Sequence, residues 1–128
     1  MKEYDVKKDL LVSILPDKLV EIYKEFLKDE EIFSINVVRG REISITKKNG
    51  KKYEEHKINE FFLEEKKIVE IIKQLGKEVG EDIHSLNPLL TIVFDDKIIF
   101  TGMISSKYAT NYGQTSYTVF TIQKKEKY

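Results

Sequence analysis

Cysteine is absent from this chain. Disulfides and thiolate zinc sites are thereby excluded, and the lack is compatible with the reducing cytosol. Long hydrophobic runs are missing as well. The uninterrupted apolar stretches fall far below the ~20 residues a helix needs to cross a bilayer. The first nine residues are densely charged, the wrong pattern for a signal peptide. An excess of either charge is also lacking, because 22 basic and 22 acidic residues cancel. No overall field draws the chain to nucleic acid or to an anionic membrane. We expect a cytoplasmic protein, with no specific nucleic-acid partner and no direct membrane insertion.

A phosphate-binding P-loop is lacking too. Its backbone amides must wrap phosphates and its last hydroxyl must hold magnesium, which requires Gly-x-x-x-x-Gly-Lys followed by Ser or Thr. The chain offers Gly50-Lys51 and Gly76-Lys77. Ile45 and Ile71 stand where the first glycine belongs, and Lys52 and Glu78 where the hydroxyl belongs. His56 and His84 have no partner at ligand spacing, so no metal site is expected. Carboxylate pairs such as Glu54-Glu55, Glu64-Glu65 and Asp95-Asp96 read as solvated faces and turns. No serine has a nucleophile elbow around it. We expect no enzyme and no cofactor.

What is present is a soluble balance, 41% hydrophobic and 34% charged across 128 residues. One domain with a real core fits that length. Residues 1–15 read as an N-terminal extension and residues 16–125 as the domain proper. In the extension, Leu10 to Leu15 form an apolar cluster, either a short helix or an irregular segment packed on the core. Pro16 and Asp17 open a helix, where Pro has no N–H to lose and Asp suits the positive end of the dipole. Leu19, Ile22, Tyr23, Phe26 and Leu27 share one face of it. Ile68, Ile71, Ile72, Leu75 and Val79 do the same on a second helix, with Asn59 as a candidate cap and Gly76 and Gly80 loosening its end.

Six stretches read as strands. Glu31 to Val38 is rich in β-formers, with Asn36 the one misfit. Glu42 to Lys47 alternates. Asn49-Gly50 supplies the two positive-φ positions of a type I′ turn, so a hairpin follows. Its outgoing arm, Lys52 to Ile58, is charged and reads as a guarded edge. Leu89 to Phe94 is too apolar for a half-wet strand and is expected centrally. Asp95-Asp96-Lys97 turns back into Ile98 to Ile104, and Tyr117 to Ile122 is the last strand before a charged tail. The fold class is α+β: two main helices packed on antiparallel sheet of about six strands.

Two groups of residues invite recognition. Arg39 and Arg41 flank a strand turn, where planar donors suit phosphate. Tyr108, Asn111 and Tyr112 lie in a polar, aromatic loop that suits adaptable contact. Lys47, Lys48, Lys51 and Lys52 crowd a hairpin tip, and Lys124, Lys125 and Lys127 the tail. Both basic groups read as solubilising or as anion contacts.

The order of these pieces resembles the N-terminal domain of VirB11/CpaF-type secretion ATPases. The resemblance is carried by Glu25 to Asp29, Ile32 to Val38, Arg41 to Thr46, Lys48 to Lys51 and Ile68 to Ile83. It continues through Asn87 to Leu90, Asp95 to Ile98 and Phe120 to Lys124. It implies the fold and a ring or docking role, without ATP hydrolysis. Family arginines that help close the nucleotide site are replaced here by Lys97 and Gln123, and the family's Pro-Pro by Ser105-Ser106. The partner implied is a component of a secretion or conjugation machine, or a second copy of the chain. Arg39, Arg41, Lys97, Tyr108, Asn111, Tyr112, Gln123 and Lys124 are the contact candidates. The alternative is a small nucleotide- or ligand-sequestering module of a mobile genetic element.

Overall fold

In the computed structural model, residues 9–105 and 118–125 are described. Three helices and six strands alternate along them. Helix α1 (Leu10–Ile14) and α2 (Asp17–Lys28) precede β1 (Ile32–Val38), β2 (Ser44–Asn49) and β3 (Lys52–Lys57). Helix α3 (Glu65–Glu78) separates these from β4 (Leu89–Phe94), β5 (Ile98–Met103) and β6 (Val119–Lys124). Each strand triplet is an antiparallel meander, and β1 pairs antiparallel with β6 to fuse them. The result is one sheet in the order β3-β2-β1-β6-β5-β4. The α+β class holds.

The two apolar stripes do what their spacing dictates. Leu19, Tyr23 and Phe26 of α2 and Ile68, Ile71, Ile72 and Leu75 of α3 are buried. They share a core with Ile35, Phe100, Phe120 and Ile122 of the sheet. Each such side chain adds roughly 1.5–3 kcal/mol by leaving water. The segment before Pro16 resolves as a helix, and Leu11, Ile14 and Leu15 join the core. Cross-strand register fixes the two faces of the sheet. Ile45, Ile35, Ile122, Phe100 and Ile92 lie in one row beneath the helices. Ser44, Asn36, Thr121, Thr101 and Thr91 form the neighbouring row, which faces away from them.

A register shift between Ile32 and Ser34 marks a bulge in β1. The extra residue returns Ile32 to the core side, although Ser34 and Asn36 share its parity. Asn36 is therefore no misfit. Its amide donates to Ser44 Oγ at 3.3 Å and Thr46 Oγ1 at 3.0 Å, and its Oδ1 accepts from Ser34 Oγ at 3.1 Å.

Several local expectations need correction. Strand β4 ends the sheet instead of lying centrally. Its composition reports burial of its faces: Leu90, Ile92 and Phe94 point into the core, and Val93 is also buried. Asn49 pairs with Lys52, so the first hairpin turns on Gly50-Lys51. Of those two only Gly50 has positive φ, at 64°, as in a type II′ turn. The I′ pattern instead occurs at Asp95 and Asp96, with φ of 51° and 56°. Asn59 does not cap α3; Glu64 occupies that position, with no side-chain cap bond. Gly76 is buried within α3, and a Cβ there would meet Glu81 O and Ile83 Cγ1 at 2.9 Å. It permits close packing. Gly80, at φ 76°, stops the helix: its N–H reaches Lys77 O, and Glu81 N–H reaches Gly76 O. Gln123 and Lys124 belong to β6 and not to a tail.

Candidate functional site

Three places on the described surface collect chemistry. The first is the turn after β1. Arg41 N–H closes it on Val38 O, and Gly40 takes φ of 74°. Arg39 leans towards α3, where its Nη1 lies 3.1 Å from Glu65 Oε2. The same Glu65 oxygen accepts from the fully buried Thr118 hydroxyl at 3.1 Å, and that hydroxyl accepts from Ser105 N–H. Arg39 is thus spent on tying the turn after β1 to the start of α3, while Thr118 ties the start of β6 to the same carboxylate.

Arg41 behaves differently. It lines a cleft of about 350 Å³ together with Asn36, Ser44, Glu55, Lys57 and Phe62. The polar row of the sheet supplies the floor, the turn one wall and the end of β3 another. Neither Arg41 nor Lys57 has an ion-pair partner among the described residues. Glu42, also at the cleft, accepts from Glu60 N–H at 2.7 Å and pins that residue at φ 58°. Phe61 turns inward, whereas Phe62 is 54% exposed at the rim.

The second place is Lys124. Its ammonium donates to Asp29 O at 2.6 Å and lies 4.9 Å from the centre of the Phe26 ring. Desolvation pushes its pKa below the ordinary lysine value, against the opposing pull of Asp29 and Glu30. This lysine closes the gap between β6 and the end of α2. The third place is the free side of β4. Among the described residues only β5 pairs with it.

The contact candidates do not converge. Arg41 alone lines the cleft. Lys97 sits in the β4–β5 turn, where its carbonyl accepts from Lys125 N–H. Gln123 is on the polar face opposite Ser34, and Lys124 is on the helical face. Tyr108, Asn111 and Tyr112 lie outside the described residues. Sequence reasoning missed Asn36, Ser44, Lys57 and Phe62. The alternation of Ser and Thr in β2 hinted at the polar floor, but only register aligns it with Asn36.

No family model matches the chain, and no curated protein does. Among solved structures, it is similar to the VirB11 ATPase of the Brucella suis type IV secretion system, determined in complex with sulphate. The TM-score is 0.56 at 15% identity, over 85% of this chain and 31% of that one. The likeness is one of fold. The chain spans about a third of the length of that protein.

Proposed function

We propose that this chain is a non-catalytic interaction and assembly domain of the cytoplasm, serving a secretion or conjugation machine. The observation that carries the reading is the contrast between its two sheet edges. Strand β3 is exposed throughout and bears Lys52, Glu54, Glu55, His56 and Lys57. Charges of this kind discourage edge-to-edge pairing. Strand β4 reads Leu-Leu-Thr-Ile-Val-Phe, with no charge and no proline inside it. Leu89 is 58% exposed at its start. An unguarded edge of this kind accepts an added strand through main-chain hydrogen bonds, with side chains setting specificity.

The fold likeness supports the same reading, since the solved neighbour is an ATPase of a type IV secretion system. Hydrolysis is not carried over, because neither Gly-Lys pair has the P-loop frame. The occupant taken by this reading is a second copy. Two β4 strands about a two-fold axis pair antiparallel, and an isologous contact of this type closes on itself.

Light scattering coupled to gel filtration tests this from micromolar to millimolar concentration. The wild type should rise in mass with concentration. The double variant Leu89→Lys/Thr91→Lys should stay monomeric with an unchanged circular dichroism spectrum. A monomeric wild type at millimolar concentration, or a variant with the wild-type mass profile, would end the assembly reading.

A further inference from the structure

The cleft between the β1–β2 turn and β3 has a chemistry of its own. We propose that it binds a small planar ligand bearing one phosphate, with a nucleoside monophosphate as the best match. The inference goes beyond the assembly reading and uses a different part of the surface. It also uses neither Lys97 nor Gln123, the positions to which the family resemblance points.

Four features of the cleft converge. Arg41 and Lys57 bring two cations to one cavity with no ion-pair partners among the described residues. A guanidinium presents a planar fork to phosphate oxygens, and an ammonium adds a point charge. Ser44 lies on the floor and is 5% exposed. Its oxygen already accepts from Asn36, while among the described residues its own proton donates to nothing. A hydroxyl proton is thus left to donate to a ligand acceptor.

The rim completes the match. Phe62 has no aromatic partner among the described residues, and its ring is open to solvent. Base rings stack on such a platform without regard to their identity. Glu55 adds an acceptor for ribose hydroxyls or an exocyclic amine. Glu42 and Glu55 also offset the two cations, so a bare phosphate gains little net attraction. A ligand carrying both donors and an anion fits the mixed wall better. The volume, about 350 Å³, lies at the small end of the ~300–1,000 Å³ typical of ligand sites, which favours a monophosphate over a larger ligand.

Amide NMR titration of the full chain with AMP, adenosine and inorganic phosphate tests the proposal. AMP should shift the amides of Ser44, Lys57 and Phe62. Adenosine and phosphate should each bind at least ~10-fold more weakly, since each lacks one of the anchors. Arg41→Gln and Phe62→Ala alter exposed side chains and should each weaken AMP ~10-fold, whereas Arg39→Gln should not. The Leu89→Lys/Thr91→Lys chain should bind AMP as the wild type does, so this site and the β4 edge stand or fall separately. Absence of AMP shifts at millimolar concentration would overturn the site. So would phosphate binding as tightly as AMP, or Arg41→Gln binding AMP unchanged.

Discussion

Replacing Gly76 with alanine should destabilise the protein, although it sits in a helix. Inside an ordinary exposed helix this change gains about 1 kcal/mol, because alanine loses less chain entropy. Here the added Cβ arrives 2.9 Å from Glu81 O and 2.9 Å from Ile83 Cγ1. Carbon contacts are comfortable at about 3.5–4.0 Å, so both neighbours must retreat by roughly half an ångström or more. Ile83 can turn aside, at the expense of its buried position. The Glu81 carbonyl is backbone, in a residue whose own N–H bonds Gly76 O at 2.8 Å, so it cannot move alone. Overpacking of this kind costs ~1–3 kcal/mol. Subtracting the helix gain leaves a net loss of up to ~2 kcal/mol. Urea unfolding followed by circular dichroism, at unchanged slope, reads this as a lower midpoint. Gly80→Ala is the companion: it meets no atom within 4 Å but must hold φ at 76°. It should lose ~1–2 kcal/mol for a different reason, the left-handed backbone. A Gly76→Ala protein as stable as the wild type, or more so, would refute the packing argument.

Three further outcomes are expected. Thr118→Val places an apolar group at a fully buried position and leaves the part-buried Ser105 N–H without its acceptor, which should cost ~1–2 kcal/mol in urea unfolding. Burial pushes the Tyr23 hydroxyl far above its ordinary pKa of 10.0, with help from Asp9 and Asp95. The folded pKa is raised, so stability is complete below pH 10.0 and falls above it, where only the unfolded chain ionises. The loss approaches ~1.4 kcal/mol per pH unit, and Tyr23→Phe should remove that component in melts run across the alkaline range. Asp96→Gly relieves a left-handed residue and should raise the melting temperature at neutral pH. Its advantage should widen in acid, because the Lys125 hydrogen bond holds the Asp96 carboxyl below the usual range and that contribution fades as pH falls.

The helices were legible because a single period fixes a single face. Leu19, Tyr23 and Phe26, like Ile68, Ile71 and Leu75, need nothing beyond their spacing to find the core. The charged edge β3 was legible for a similar reason: Glu54 and Lys57 are exposed, and their side chains say so. Lateral order was not legible. Ile92 and Phe94 are apolar because helices lie over one face of β4, and that fact is silent about which strand lies beside it. The cleft was half legible. Arg41 stood out beside its turn, but Asn36 and Ser44 meet only once β1 and β2 are in register. Phe62 stands exposed between Phe61 and Leu63, which pack inward, and residue type alone does not separate the three. Lys124 reads as tail because its charge hides the strand that carries it.

The pairing of β1 with β6 has a kinetic consequence. Ser34 meets Gln123 and Val38 meets Val119, across most of the chain's length. During synthesis, β1 through β3 emerge with the inner side of β1 still waiting for its neighbour. Closure of the largest loop comes last and carries the greatest entropic cost, the circumstance in which folding is slowest. A ribosome stalled before Val119 would present an apolar strand with a bare flank to whatever chaperone or sister chain is nearest.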